Sequence, residues 1–206
     1  MFCDKPIGGS VAGTRQILEL AKKHGAPLMS SSLFRHQWGT DEALRLRDSG
    51  EFGPFNYVIA SQASACSPTG WLVYGQHPTW MVMTLCGPGV EAVGSFHRDN
   101  ACHAWLTYSD RMPAEVWFGR PDISGLYCET TVHFQKPKKF TWTPAIDCRG
   151  HHYHMVRMAD AFRRMIRTRV EPVPHREILE VTAIIHAAVR SQNERSRLVS
   201  LAEVLS

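Results

Sequence analysis

Apolar positions in the first half of the chain alternate between helical and strand-like spacing. Val11, Leu18 and Ala21 recur on one side of a helix predicted over residues 10–24, and Gly25 ends it. The other elements predicted in this half are a strand over 26–30, a helix over 40–48 that Thr40 can cap, a strand over 55–63, a turn over 67–70 and an apolar helix ending near Cys86.

The second half begins with strand-like runs in series. Five are predicted, over 90–98, 102–109, 114–119, 126–135 and 140–146. Turns separate these runs, which favours antiparallel neighbours over strand–helix–strand crossovers. Helices follow over 154–168 and 176–192, with a last short strand over 198–201. The pattern predicts an α+β fold: an open, mostly antiparallel β-sheet with helices packed on one face.

Composition is that of a globular chain with one sizeable core. Hydrophobic residues make up 44% and charged residues 20% of the 206 residues. The net charge of +4 is spread along the chain, and no basic ribbon interleaved with aromatic residues predicts a nucleic-acid partner. No apolar run is long enough to span a membrane.

Six cysteines are scattered without Cys-x-x-Cys spacing, which favours free thiols and, by default, a cytoplasmic location; an export signal ahead of the chain would change that location. The cluster around His151, His152 and His154 invites a metal hypothesis. No second ligand motif accompanies it, so we predict no metal site.

The most informative motif stands at the start of the chain, where a short apolar run ends in Asp4-Lys5-Pro6. A lysine at the end of a strand can aim a fixed positive charge at a bound ligand. A dinucleotide-binding domain would also need a glycine-rich turn before a helix. No Gly-x-Gly-x-x-Gly occurs in these 206 residues, and Gly87-Pro88-Gly89 lacks that spacing and setting.

Three stretches together resemble the Gfo/Idh/MocA-type oxidoreductases. Residues 2–7 resemble the Glu-Lys-Pro motif of that family, and residues 75–87 resemble its Gly-x-His helix. Residues 166–174 and 179–191 resemble its C-terminal helical signature. The resemblance implies that residues 1–30 are the remnant of a nucleotide-binding domain and that residues 31–206 form the C-terminal substrate and oligomerisation domain.

The resemblance also implies hydride transfer between NAD or NADP and a sugar, cyclitol or similar polyol. Lys5 and His77 would be catalytic, with His77 exchanging the hydroxyl proton, and Lys5 and Pro6 would contact the cofactor. The candidate substrate-binding residues are Arg35, Tyr74, His151 and Tyr153. A homo-oligomer formed through the open sheet face is the expected assembly.

Two departures from the family pattern keep other functions open. Val73 occupies the position where relatives often carry an aspartate that orients the histidine, and Asp4 replaces the more common glutamate. We therefore expect a C-terminal portion of an enzyme, unable to bind the dinucleotide alone. The alternatives are a non-catalytic domain that binds carbohydrate or protein, or a glycosidase or epimerase of the same family that uses tightly bound NAD.

Overall fold

The structure is a computed structural model that describes residues 1–63, 68–98, 101–111, 113–119, 128–143 and 150–206, with the side chains of 68, 69 and 150–152 left aside. Its helices are α1 (Val11–Lys23), a 3-10 helix (Leu33–His36), α2 (Trp38–Asp48), α3 (Pro68–Val73), α4 (Gln76–Cys86), α5 (Gly150–Thr168), α6 (His175–Asn193) and α7 (Ala202–Leu205). Its strands are β1 (Phe55–Ala63), β2 (Ala92–Arg98), β3 (Ala101–Thr107), β4 (Ala114–Gly119), β5 (Cys128–Phe134), β6 (Lys139–Trp142) and β7 (Val199–Ser200).

The seven strands form one sheet in the order β6-β5-β1-β4-β3-β2-β7. All neighbouring strands run antiparallel except β1 and β4, which pair in parallel with Val58 opposite Ala114. The predicted α+β class and mostly antiparallel sheet are therefore confirmed, and the parallel pair at the centre is an addition that the succession of strands did not indicate.

One face of the sheet carries the core. Side chains alternate along each strand. Ala60, Val116 and Ala104 on three neighbouring strands are fully buried, while Glu115 and Trp117, on either side of Val116 in β4, face the other side. Helix α4 packs on β1 and β4, and α6 packs on β2. The arrangement agrees with the prediction of helices on one face.

Several predicted element bounds agree closely with the structure, and others do not. The strand over 55–63 is β1, and Ser10 caps α1 by accepting a hydrogen bond from the Gly13 amide. Helix α2 begins at Trp38, before Thr40, because Gln37 takes the N-cap position. The turn predicted over 67–70 is wrong for its described part, since Pro68 begins α3, and proline is well tolerated in a first helical turn.

The N-terminal segment makes less regular structure than predicted. Residues 26–30 contribute an isolated bridge between Phe2 and Met29 rather than a strand. Backbone hydrogen bonds from Cys3 N to Met29 O and from Met29 N to Met1 O hold the two segments together. This bridge fixes where the chain leaves towards Lys5. The division of the chain at residue 30 stays a prediction.

Buried polar groups anchor the loop between α4 and β2. The φ of +74° at Gly87, the residue that ends α4, lies in the left-handed region that favours glycine. The buried carboxylate of Glu180 on α6 then accepts hydrogen bonds from the amides of Gly89 and Val90, at 2.6 and 2.9 Å. These bonds tie α4 to α6 at the end opposite His77.

One of the cysteines that the structure describes differs from the expectation. Cys3, Cys86 and Cys128 are free, whereas Cys102, fully buried in β3, is disulfide-bonded. Burial raises the pKa of Cys86 and of Cys128 to about 12, so neither side chain is a reactive thiolate. The expectation that all six cysteines are free is therefore wrong for Cys102.

Candidate functional site

Lys5 reaches across the chain to the start of the helix that carries His77. Its side-chain Nζ donates a hydrogen bond to the backbone carbonyl of Val73 at 2.5 Å. The same Nζ lies 5.7 Å from the centre of the Tyr74 ring, a separation suited to a cation–π contact. Burial lowers the pKa of Lys5, and the carboxylate of Asp4 opposes that shift. The lysine is thus partly removed from water and directed at the α3–α4 junction.

His77 occupies the first turn of α4, where its backbone amide donates to the carbonyl of Tyr74 at 3.0 Å. Its side chain is buried, and Nδ1 lies 2.6 Å from the hydroxyl oxygen of Ser32. The ring of Phe34 meets the imidazole edge-on, with 4.8 Å between centroids. With Nδ1 engaged by Ser32, Nε2 is the ring nitrogen that remains for a ligand.

The surroundings of His77 disfavour a positive charge on its ring. Burial lowers its pKa to about 3, and the charge of Lys5 contributes to the shift. The position of Lys5 Nζ at the Val73 carbonyl, four residues before His77, agrees with that effect. The imidazole is therefore held in its neutral form.

The side chain of Arg35 makes contacts within the fold. Its guanidinium lies 3.4 Å from the Glu177 carboxylate and 5.3 Å from the centre of the Trp80 ring. The side chain is only 13% exposed. These contacts join the 3-10 helix to α4 and α6, and they give the predicted substrate role of Arg35 no direct support.

The other predicted substrate-binding residues lie on two different elements. Tyr74 is exposed and lies beside Lys5 at the end of α3. Tyr153 lies on α5 and donates a hydrogen bond to the carboxylate of Asp41 at 3.0 Å. Arg157 contacts that carboxylate as well, at 2.9 Å. The side chain of His151 lies outside the described residues.

Reasoning from the sequence missed the residues that surround the imidazole of His77. Ser32 ends a run of three buried serines that follows the Phe2–Met29 bridge. Phe34 packs against His77 on one side and against His154, 5.6 Å away, on another. Three successive serines after an apolar segment were the available indication, because buried hydroxyls need partners.

Neither a metal site nor a membrane span is found among the residues that the structure describes. No group of three or more His, Cys, Asp or Glu side chains there is arranged to hold a metal ion. No helix in this part of the chain is long and apolar enough to cross a bilayer.

The residues expected to meet the reacting end of a dinucleotide are Lys5, Pro6 and His77, and the structure brings the side chain of Lys5 to the α3–α4 junction, close in sequence to His77. The first turn of α1, by contrast, is closed by Ser10, whose hydroxyl accepts from Gly13 N at 3.0 Å. A Cβ on Gly8 would lie 2.7 Å from the Thr14 hydroxyl, so the preceding loop packs on the helix and leaves no cradle for phosphate there.

Comparisons with known proteins give matches among solved structures alone. No protein-family model matches the sequence, and no curated protein matches it. The apo scyllo-inositol dehydrogenase from Lactobacillus casei aligns with a TM-score of 0.83 at 14% identity, over 98% of this chain and 71% of that one. An oxidoreductase from Agrobacterium radiobacter, solved with NAD+, L-tartaric acid and magnesium, aligns with a TM-score of 0.79 at 13% identity, over 98% and 73% of the two chains.

A third similar structure is that of GenD2 from gentamicin A biosynthesis in complex with NAD. It aligns with a TM-score of 0.78 at 16% identity, over 97% of this chain and 70% of that one. These identities are low, so the alignments establish the shape of the chain rather than its reaction. Over nearly its whole length the chain has the fold of the Gfo/Idh/MocA-type dehydrogenases, as the sequence resemblance predicts.

Proposed function

We propose that this chain forms the substrate-binding and catalytic part of an NAD(P)-dependent oxidoreductase that acts on an alcohol carbon of a sugar, cyclitol or similar polyol. One observation carries the proposal. The fold brings Lys5 to the carbonyl of Val73, four residues before His77, although Lys5 and Val73 are 68 positions apart in the sequence. This contact supports a shared site for Lys5 and His77 near the junction of α3 and α4.

Alcohol oxidation at such a site requires protein groups that hold the substrate oxygen and exchange its proton. Oxidation of an alcohol moves a hydride from carbon and a proton from oxygen, and a bound nicotinamide dinucleotide supplies the hydride acceptor. The groups that hold the oxygen and exchange its proton come from this chain, and Lys5 and His77 are the candidates. Phe34, packed edge-on against His77, limits the access of water to the imidazole.

The residues described above do not form a binding site for the phosphates of the dinucleotide. We infer that its phosphates are held by a glycine-rich turn that these 206 residues do not supply, so the chain alone does not bind the cofactor. The closed first turn of α1 supports this inference.

The decisive experiment mixes the natural polypeptide that contains these 206 residues with NAD+ or NADP+ and a panel of inositols, sugars and sugar acids. We expect nicotinamide absorbance to rise with at least one polyol. His77→Gln should lower kcat by about 10²-fold or more while the affinity for the cofactor is unchanged. A protein that binds cofactor but gives no absorbance change with any member of the panel contradicts the proposal.

A binding function without catalysis is the second candidate, and Val73 favours it. An apolar side chain stands where relatives often carry a carboxylate beside the histidine, and no carboxylate is among the described groups that act on His77. Calorimetric titration with the same panel separates the two functions. Polyol binding without turnover supports the second candidate, and turnover excludes it.

We also propose that the open sheet face joins two copies of this chain. Phe96 and Trp117 on that face are partly exposed, and Trp117 stacks on His103 with 3.9 Å between ring centroids. Nε2 of His103 lies 3.1 Å from the carboxylate of Glu115 at the edge of this aromatic cluster. Aromatic side chains are enriched at the centres of protein interfaces, which supports this proposal.

A further inference from the structure

The hydroxyl of Ser32 determines which nitrogen of His77 carries the proton. Ser32 is fully buried, and its oxygen accepts a hydrogen bond from the Phe34 amide at 3.1 Å. Nδ1 of His77, at 2.6 Å, is its other partner among the described residues. If Nδ1 were protonated and donated to Ser32, the hydrogen of the hydroxyl would have no acceptor there, and buried donors without acceptors are disfavoured. The hydroxyl therefore donates to Nδ1, and the ring proton lies on Nε2.

The described groups that act on the imidazole do not favour a second proton. Ser32 and Phe34, which contact the ring, are neutral, and the positive charge of Lys5 opposes protonation. His77 also lies in the first turn of α4, where the helix dipole disfavours cations. The low pKa of His77 agrees with this geometry.

A neutral imidazole with its proton on Nε2 cannot accept a proton at that nitrogen. It can donate a hydrogen bond to an oxygen that gains negative charge, as neutral histidines at helix N-termini do in carbonyl chemistry. Building on the function proposed above, we infer that Ser32 is a positioning residue that holds His77 as a neutral Nε2–H donor to the substrate oxygen. The proton of that oxygen is then exchanged by Nζ of Lys5.

The step balances with the groups named. In alcohol oxidation a bound nicotinamide would accept the carbon-bound hydrogen with its electron pair, and the hydroxyl proton would pass to an uncharged Nζ of Lys5. The oxygen becomes a carbonyl oxygen, Nζ becomes an ammonium, and His77 keeps its proton throughout. The hydrogen bond from Nζ to the Val73 carbonyl fixes the amine during this exchange. Burial lowers the pKa of Lys5, which increases the fraction present as the amine.

The tautomer can be measured without substrate or cofactor. Nitrogen-15 NMR of histidine-labelled protein reports the protonation of each ring nitrogen, and His77→Gln identifies the His77 signals among the 11 histidines. We expect protonated Nε2 and unprotonated Nδ1 in the wild type at neutral pH. Ser32→Ala should mix the tautomers, whereas Ser32→Thr keeps a hydroxyl and should retain the wild-type pattern.

Val73→Asp provides a second variant at a partly exposed position, where folding is not at risk. A carboxylate four residues before His77 should raise its pKa by about one unit or more. Wild-type protein with protonated Nδ1, or a wild-type His77 that already titrates near neutrality, overturns the inference and leaves the oxidoreductase proposal standing.

An activity measurement tests whether Lys5 or His77 exchanges the proton, and it also tests the oxidoreductase proposal separately. In the loaded enzyme, kcat for alcohol oxidation should rise with pH as Lys5 loses its proton, and His77→Gln should keep this limb at a lower rate. Loss of the limb in His77→Gln assigns the proton exchange to His77 and overturns the inference. Absence of any turnover, with the expected tautomer intact, counts against the oxidoreductase alone.

Discussion

The ammonium of Lys5 donates a 2.5 Å hydrogen bond to the backbone carbonyl of Val73. The carbonyl is one of the last in α3, and the same charge acts on His77 in the next helix. A single side chain from the N-terminal segment thus touches the α3–α4 junction and influences the imidazole that α4 presents. The contact joins residues that are far apart in sequence into one site.

Removing that charge should alter His77 measurably. In Lys5→Met the pKa of His77 should rise, since Lys5 contributes to its lowering, but burial should keep it below the ordinary value. Turnover by the loaded enzyme should fall by about 10²–10⁴-fold. NMR titration measures the first effect and nicotinamide absorbance the second. Lys22→Met, on the exposed side of α1, is the matched control, and an unchanged His77 pKa in Lys5→Met would show that the two groups do not interact.

Folding stability should decline as pH falls below about 6.5. The folded-state pKa is about 3 for His77 and about 4 for His36, both lowered mainly by burial, whereas the unfolded chain binds these protons near 6.5. Each group therefore removes up to about 1.4 kcal/mol of unfolding free energy per pH unit between 6.5 and its own folded pKa. The stability is fully present above that window.

Urea unfolding at several pH values tests this dependence. His77→Gln and His36→Gln should each flatten the fall in unfolding free energy, and the exposed His24→Gln should leave the slope unchanged. Equal slopes in all four proteins would mean that neither buried histidine resists protonation.

Glu180 should matter for stability through its two backbone partners. Glu180→Ala leaves the amides of Gly89 and Val90 without acceptors, and hydrogen bonds to a charged group contribute about 1.5–3 kcal/mol. We expect the free energy of unfolding to fall by ~2–3 kcal/mol. Glu19→Ala on the exposed side of α1 should cost far less. Similar losses in both variants would contradict the role given to Glu180.

Assembly through the open sheet face should be sensitive to a charge at Phe96. Phe96→Glu places a carboxylate among aromatic rings, including Trp117 at 6.3 Å, and should convert a dimer or larger oligomer into monomers. Leu20→Glu alters an equally apolar and more exposed residue on α1 and should leave the oligomer intact. Sedimentation velocity distinguishes the species. The proposal is contradicted if the wild-type protein is a monomer, or if the Phe96→Glu variant forms the same oligomer as the wild type.

Local chemistry made much of the fold predictable. The β-rich run after Gly53-Pro54 predicts β1 with its observed bounds, because the turn residues and the apolar run act within a few positions of one another. Pro68 and Gly70 suggested a turn, but proline in a first turn also suits a short helix, and only packing decides between the two. The parallel pairing of β1 with β4 depends on long-range contacts that leave no local pattern.

The candidate site was predictable only in outline. The resemblance to a known family indicated Lys5 and His77, and Val73 was identified as a departure from it. The hydrogen bond from Ser32 to His77 joins residues 45 positions apart, and no periodicity or motif predicts such a pair. Arg35 was a reasonable candidate, but whether a guanidinium binds a ligand or Glu177 depends on the position of α6, which the residues around Arg35 do not specify.

The parallel contact between β1 and β4 has a consequence for how the chain folds. Both neighbours of β1 come from much later residues, since β4 begins at Ala114 and β5 at Cys128. During synthesis β1 therefore emerges long before either partner and leaves both edges unpaired. Because closing such large loops is slow, the pairing of β4 and β5 with β1 should limit the rate of folding. A nascent chain stopped before these strands should need a chaperone to remain soluble.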